Sequence, residues 1–165
     1  MTFTHLDQNN LPTMVSIQNK QVTQRTATAC TQMTFPPEIW DHFKEGDIQG
    51  KKGSVTHTAL IAGIQGAKLT SQLIPLCHPL ALDKIDIQFE WNTTEHTVKI
   101  LCTVSTEGKT GVEMEALTGS TICALTIYDM CKALSHHIEI GPTQLLSKTG
   151  GKSDYIISHK DTISH

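Results

Sequence analysis

Two neighbouring stretches decide the fold: IDIQFEWNTTEHTVKILCTV at residues 85–104 and GVEMEALTGSTICALTIYDMCKAL at residues 111–134. In the first, apolar and polar residues alternate on both sides of the polar turn at 92–96, which predicts a β-hairpin with one buried face. In the second, apolar and small residues recur in steps of three and four, as in a helix with one buried stripe. The predicted stripe comprises Leu117, Ser120, Ala124, Ile127, Cys131 and Leu134.

Weaker patterns on either side of this core complete an α+β order of elements. Residues 22–34 predict a strand, 37–44 a short helix, and 54–69 a helix capped by Ser54. An ordered loop is expected over 73–82, and a last strand near 138–146, interrupted by Gly141-Pro142. The order β-α-β-β-α-β predicts a ferredoxin-like sandwich, with one antiparallel sheet and helices on one face. The open second face of such a sheet favours an oligomer.

Length and composition limit the class of protein. A chain of 165 residues fits one domain, which we place at 19–158 between a flexible N-terminal segment, 1–18, and a flexible tail, 159–165. A net charge of −3 gives no sign of a nucleic-acid or membrane partner, and no apolar stretch is long enough to span a bilayer. The five cysteines include no C-x-x-C pair, and the N-terminus does not resemble a signal peptide, so we expect a cytoplasmic protein.

The other face of the long helix carries a polar stripe. Glu115, Thr126 and Asp129 fall within about 40° of one another around the helix axis, and Lys132 follows Asp129 by one turn. In a helix this apolar, the stripe is consistent with a lined site. It is equally consistent with a solvated face that carries an i,i+3 ion pair.

The proline-braced loop Leu76-Cys77-His78-Pro79 holds a thiol beside an imidazole. Cys77 could be a nucleophile with a histidine base, but adjacent residues rarely direct their side chains at each other, and a buried small hydrophobe is the simpler interpretation. His78 could bind an anion or orient a ligand, or it could be a hydrogen-bonded structural histidine.

Metal and phosphate chemistry are both conceivable for this set of residues. Zinc could use Cys77, His78, Glu113, Glu115 or Asp129, but no pair has a recognised ligand spacing. Mg²⁺ with a phosphate substrate remains open. The sequences Gly-Lys-Lys-Gly at 50–53 and Gly-Gly-Lys-Ser at 150–153 resemble phosphate-binding loops without matching a Walker A motif. Together with Lys132 they favour a polyphosphate ligand.

Long blocks of this sequence resemble the cyclic pyranopterin monophosphate synthase family, the accessory protein C of molybdenum-cofactor biosynthesis. The resemblance covers residues 13–154. It departs from the family at four positions, where aspartate, arginine, arginine and glycine are frequent: Ser54, Leu69, Gln144 and Asp154. The blocks that carry it are Ala67-Lys68, LIPLCHPL at 73–80, TGVEMEAL at 110–117, LTIYDMCKA at 125–133 and GGKS at 150–153.

The resemblance implies a catalytic domain that converts a 3′,8-cyclised dihydroguanosine 5′-triphosphate, made from GTP by a radical enzyme, into cyclic pyranopterin monophosphate and pyrophosphate. It implies a hexamer built from three dimers, with no required cofactor and Mg²⁺ accompanying the triphosphate. Asp129, Lys132 and Lys52 match the catalytic positions. The positions that match substrate-binding residues are Leu76, Cys77, His78, Met114 and Glu115, followed by Arg25, Glu113, Lys148 and Lys152. A non-catalytic nucleotide-sensing oligomer and a cysteine–histidine hydrolase are the alternatives.

Lysines can supply the proton transfers and the leaving-group stabilisation that this reaction needs. We expect their pKa to be lowered by burial or by each other, which would let them act near neutral pH. In this fold Lys52 and Lys132 could be neighbours in one chain. Because the resemblance implies a pocket at a dimer interface, we expect Lys52 to face the Asp129 and Lys132 of a second copy.

Overall fold

The Thr-rich stretch before Phe35 is the central strand of the sheet in the computed structural model, which describes Leu6 and residues 9–44, 46–50 and 53–157. The elements are β1 (Thr23–Thr34), α1 (Pro37–Trp40), β2 (Gln49–Gly50), β3 (Gly53–Ser54), α2 (Val55–Lys68), α3 (Thr70–Leu73), β4 (Lys84–Asn92), β5 (Thr97–Gly108), α4 (Glu113–Cys131), β6 (Glu139–Thr149) and β7 (Tyr155–Ile156).

The main sheet has five strands in the order β4-β5-β1-β6-β7, and every pair is antiparallel. Without the short β7, this is the strand order of a ferredoxin-like sandwich, so the predicted fold is confirmed. The predicted hairpin is β4 and β5, which pair from Lys84 opposite Ser105 to Asn92 opposite Thr97.

One face of the sheet is buried by α2 and α4. Along β5 the alternate residues Val98, Ile100, Cys102 and Val104 are fully buried, because their side chains all point toward the helices. A hydroxyl pair joins the two layers: Thr31 Oγ1 donates to Ser120 Oγ at 2.9 Å. This hydrogen bond offsets the cost of burying both groups.

The helices α2 and α4 are antiparallel. They lie close together because glycines remove side chains from their contact. A Cβ atom at Gly63 would lie 3.1 Å from Cys123 Cβ, and one at Gly119 would lie 3.4 Å from Ala67 Cβ. The contacts advance by four residues along α2 and retreat by four along α4, so the start of α2 lies beside the end of α4. Within the described residues no helix is both long and apolar enough to cross a membrane.

The structure corrects several local predictions. Helix α1 ends at Trp40, not at 44, and α4 ends at Cys131, so Leu134 lies beyond the buried stripe and is exposed. The strand β6 is continuous through Gly141-Pro142: between Thr143 and Ile140 it has one residue more than β1 opposite, and proline is tolerated at such a bulge. Strand β7 was not predicted.

We expect Gly63→Ala to lower the free energy of unfolding by about 1–3 kcal/mol, although alanine is the better helix former. The added Cβ would lie 2.6 Å from Ile87 Cδ1 and 2.9 Å from the backbone oxygen of Gly119. Chemical denaturation measures the change. Gly108→Ala is the matched control, because its Cβ would meet no heavy atom closer than 3.7 Å. Equal stability of the two variants would contradict the close helix contact.

Candidate functional site

A cavity of about 950 Å³ opens where α4 begins, between the sheet, the loop after α3 and the Gly-Gly-Lys-Ser turn. Its volume suits a ligand of nucleotide size. All nine residues that the sequence assigned to substrate binding line it: Arg25, Leu76, Cys77, His78, Glu113, Met114, Glu115, Lys148 and Lys152.

The sheet and a set of polar contacts position the charged groups of the cavity. Neighbouring strands carry Arg25 and Lys148, since Ala27 of β1 pairs with Lys148 of β6. Arg25 Nε donates to the Gly108 carbonyl oxygen at 2.9 Å, and Lys148 Nζ lies 3.2 Å from Glu113 Oε1. The Glu113 carboxylate lies over Gly111, where any Cβ would overlap it.

The turn at 150–153 depends on a glycine at its start. Gly150 has φ +81°, and a Cβ there would overlap the backbone oxygen of Gln24. Asp154, which departs from the family pattern, accepts a hydrogen bond from Gly150 N at 3.1 Å. This turn brings Lys152 to the cavity.

Glu115 is the buried acid of the cavity. It is 4% exposed. Burial raises its pKa to about 7, with a further rise from the charge of Glu113 and a partial offset from a backbone hydrogen bond. At neutral pH this carboxyl can therefore either release or accept a proton.

The loop 76–78 presents Cys77 and His78 to the same cavity, both half-buried. Burial, and secondarily the charge of Glu115, raises the pKa of the Cys77 thiol. A raised pKa disfavours the thiolate that a nucleophile needs, which argues against the hydrolase. Among the described residues, no three His, Cys, Asp or Glu side chains come together as a metal site.

Asp129 and Lys132 lie away from the cavity, at the far end of α4. Their side chains are 65% and 52% exposed, and Lys132 Nζ lies 2.7 Å from Asp129 Oδ1. The hydrogen bond and the charge of Asp129 raise the pKa of Lys132. The expectation of a lowered pKa is therefore wrong for Lys132 in the isolated chain, because this lysine is not buried and its nearest charge is negative.

The length of α4 separates the predicted site residues into two groups. Glu115 and Asp129 are 14 positions apart, and at about 1.5 Å of rise per residue they lie about 21 Å apart along the helix axis. The predicted polar stripe is therefore two features: a buried acid in the cavity at one end and an exposed ion pair at the other.

Lys52, the third predicted catalytic residue, lies outside the described residues. Gly53 and Ser54, which follow it, lie where α2 begins. Ser54 Oγ caps this helix by accepting a hydrogen bond from His57 N at 3.0 Å. Burial, and secondarily the charge of Asp47, raises the pKa of the Cys131 thiol at the end of α4. Asp47 also accepts a hydrogen bond from Thr56 N in the first turn of α2, so the start of α2 is close to the end of α4.

One further part of the cavity wall was not predicted from the sequence. The segment before β1 contributes Val15, Ile17, Asn19, Lys20 and Gln21. This segment forms no helix or strand, so its apolar residues do not recur with a helical or strand spacing. Without such a pattern, it could not be placed at the site from the sequence alone.

Comparison with known proteins points in one direction. The MoaC family model matches residues 14–151. The cyclic pyranopterin monophosphate synthase of Xanthomonas campestris pv. campestris (strain B100) is 50% identical over 151 residues, 92% of this chain and 91% of the relative. The proteins of the same name from Staphylococcus carnosus (strain TM300) and Bacillus mycoides (strain KBAB4) are 52% and 48% identical over 155 and 158 residues, 93% and 94% of this chain and 95% and 97% of their own lengths.

Glu115 should make stability depend on pH near neutrality. Its pKa is raised in the folded chain, so its contribution is fully present below about pH 4.5 and is lost as pH rises through about 7. Relative to Glu115→Gln, the wild-type free energy of unfolding should fall between pH 5 and 8 by on the order of 2 kcal/mol. Urea titrations at several pH values measure this. Parallel pH profiles for the two proteins would show that Glu115 has an ordinary pKa.

Proposed function

The chain belongs to the MoaC family, and from this membership we propose that it is a cyclic pyranopterin monophosphate synthase, the name that its relatives carry. The proposed reaction converts (8S)-3′,8-cyclo-7,8-dihydroguanosine 5′-triphosphate to cyclic pyranopterin monophosphate, with release of pyrophosphate, in molybdenum-cofactor biosynthesis. One observation carries the proposal: all nine residues that match the substrate-binding pattern of this family surround one cavity.

The charges of the cavity support a triphosphate substrate. Among the described residues, four cationic side chains line it, Lys20, Arg25, Lys148 and Lys152, against two acids. Glu113 is paired with Lys148, and Glu115 is partly protonated near neutral pH. A net positive cavity offsets the repulsion among clustered phosphate oxygens.

The bond changes of the proposed reaction match the types of residue that are present. A sugar hydroxyl attacks the α-phosphorus, its proton passes to a base, and the bond from phosphorus to the pyrophosphate oxygen breaks. Fixed cations stabilise the charge that develops on the leaving pyrophosphate. The rebuilding of the guanine ring needs proton transfers to and from nitrogen and oxygen, for which Glu115, Lys132 and Asp129 are the proposed groups.

A complete site needs two copies of the chain in this proposal. About 21 Å along α4 is too far for Asp129 and Lys132 to reach a substrate beside Glu115 of the same chain. A dimer that places the far end of α4 over the cavity of a second copy would join the two groups. It would also bury the exposed Asp129–Lys132 pair.

The position of the α2 start bears on the pairing of the lysines. Because this start lies beside the end of α4, we propose that Lys52 acts with Lys132 of its own chain over the cavity of the second copy. The other pairing, Lys52 against the Lys132 of a second copy, remains a prediction that the described residues do not test.

The wider setting follows from the same proposal. We place the protein in the cytoplasm, as a hexamer of three dimers, downstream of the radical enzyme that cyclises GTP. Mg²⁺ is proposed only as a companion of the triphosphate, and no resident cofactor is required. The direct test supplies the cyclised guanosine triphosphate to the purified protein and measures pyrophosphate and a pterin product. Failure to form either product would reject the synthase.

We expect Asp129→Asn to reduce pyrophosphate release by at least about 100-fold while the melting temperature stays within about 2 °C of wild type. The physical reason is that asparagine keeps the size and one acceptor oxygen of Asp129, so that the substitution removes the negative charge beside Lys132 and leaves the packing unchanged. Asp41→Asn is the matched control, because Asp41 is exposed and does not line the cavity. Retained substrate binding with normal turnover in Asp129→Asn would remove Asp129 from the catalytic residues.

A site shared between copies predicts complementation of inactive variants. When His78→Ala and Lys132→Ala proteins are dissociated, mixed and reassembled, half of the dimers should be mixed. One of the two sites in each mixed dimer then has both residues intact. Activity should therefore recover to about a quarter of wild type.

The same experiment with Lys52→Ala and Lys132→Ala is the matched comparison. If both lysines belong to one chain's half of the site, every site in a mixed dimer lacks one of them, and no activity returns. Recovery in this second mixture would instead favour lysines from different chains. Native mass spectrometry confirms that mixed oligomers have formed. With mixing confirmed, absence of recovery in the first mixture would reject the shared site.

A further inference from the structure

The half-buried Asp47 joins the segment before β2 to the start of α2. One of its carboxylate oxygens, Oδ1, accepts hydrogen bonds from Ile48 N at 2.8 Å and from Thr56 N at 2.9 Å. The hydroxyls of Ser54 and Thr56 also donate to this carboxylate. One side chain therefore holds both the residue that caps α2 and a residue in the first turn of that helix.

The charge of Asp47 suits this position. Burial alone would raise the pKa of this carboxyl, but the hydrogen bonds from Ser54, Thr56 and Ile48 outweigh burial and lower the pKa. Asp47 is therefore charged at neutral pH. It lies at the N-terminus of a 14-residue helix, where the unpaired amide groups of the first turn favour a negative charge.

Backbone hydrogen bonds hold the chain on both sides of Asp47. Lys44 and Asp47 exchange two of them, at 2.8 and 3.0 Å, and Val55 N donates to the Ile48 oxygen at 3.0 Å. The paired strands β2 and β3 follow, and each has only two residues. Because so short a strand pair is weak by itself, its position depends on the contacts of Asp47 at its base.

The strands β2 and β3 precede and follow Lys52 in the sequence. One peptide bond joins Lys52 to Gly53 of β3, so the position of β3 limits where this lysine can act. The start of α2 also lies beside the end of α4, which carries Asp129 and Lys132. An anchor at Asp47 thus acts at the end of the helices to which the proposed catalytic residues belong.

We propose that Asp47 is a positioning residue for Lys52, because it holds the β2–β3 pair against the start of α2. This inference rests on the proposed function for the catalytic role of Lys52. The anchor rests only on the described contacts. Asp47 does not line the cavity, so its loss should affect the chemical step more than the binding of the triphosphate.

Hydrogen–deuterium exchange tests the anchor without any turnover. In Asp47→Ala the amides of Ile48 and Thr56 lose their acceptor, so peptides from residues 46–58 should exchange about 10-fold faster than in wild type. Asp47→Asn retains the size and one acceptor oxygen of the side chain, so its exchange should stay within about 3-fold of wild type. Unchanged exchange in Asp47→Ala would overturn the anchor.

Asn92→Ala is the matched control. Asn92 Oδ1 also accepts hydrogen bonds from two backbone amides, Thr94 N at 3.0 Å and Glu95 N at 3.1 Å, but in the turn between β4 and β5. This substitution therefore removes a comparable set of contacts at another place. Its exchange should rise only in that turn, and its kcat should equal that of wild type.

Kinetics with the cyclised triphosphate test the effect on Lys52. A misplaced catalytic group lowers the rate of the chemical step, so Asp47→Ala should lower kcat by about 10- to 100-fold and change KM by less than about 3-fold. Asp47→Asn should restore most of kcat. Melting temperatures identify the fraction of each variant that is folded, so that a general loss of structure is not counted as a loss of kcat.

Cross-linking separates this inference from the proposed function. A short amine-reactive cross-linker should join Lys52 to Lys132 in wild type, whichever chain supplies each lysine, and the yield by mass spectrometry should fall several-fold in Asp47→Ala but not in Asn92→Ala. This result without any pterin product from wild type would retain the role of Asp47 and reject the synthase. Product formation with an unchanged kcat and an unchanged cross-link in Asp47→Ala would retain the synthase and overturn the role of Asp47.

Discussion

The length and rigidity of α4 constrain everything else at the site. Nineteen residues in one uninterrupted helix fix its two ends relative to each other, and packing against both α2 and the sheet holds it in place. Its first turn therefore always lies at the cavity, and its last turn always lies about 21 Å beyond Glu115. No change of side-chain rotamer can close that distance. Any chemistry that needs both ends must obtain one of them from another copy of the chain.

Close packing between α2 and α4 fixes the position of α4. The glycines at the α2–α4 contact leave no space for a side chain, so the helices cannot slide without overlap. Buried Thr31 and Ser120 hydroxyls add a directional contact between α4 and the sheet. The strands that carry Arg25 and Lys148 are part of that same sheet. The cavity charges and the helix that carries Glu115 are thus held by one continuous core.

The parts of the fold that burial makes periodic could be predicted from the sequence. A strand with one buried face must alternate, and a helix on a sheet must carry a stripe, so the hairpin and α4 were both predicted correctly. The prediction that Leu134 belongs to the buried stripe was wrong, because the apolar spacing in the sequence continues beyond Cys131, where the helix ends. The prediction of one polar stripe was wrong for another reason. Glu115 and Asp129 do lie on the same side of the helix, but the rise of 14 residues along the helix axis separates them.

Other features of the site leave no periodic signal at all. The segment 15–21, before β1, is held by one hydrogen bond from Lys109 and shaped by one hydrogen bond within its own turn. Any polar stretch of sequence could make such bonds. The raised pKa of Glu115 depends on tertiary burial, and an acid in the first turn of a helix is otherwise most simply explained by the helix dipole. Such features can be found only once the chain is folded. The site residues came from the family resemblance, because residues that are distant in the sequence come together only in the folded chain.

The protonation of Lys132 links assembly to chemistry. In the isolated chain the lysine is exposed and Asp129 stabilises its charged form, which makes it a poor base. In the proposed dimer the same lysine would be covered by a cavity lined with four cations, and both desolvation and like charge would lower its pKa. A bound triphosphate would in turn neutralise those cations until pyrophosphate departs. Proton transfer by Lys132 would then depend on the second copy and on the ligand, so that a lone chain has both halves of the machinery and completes neither.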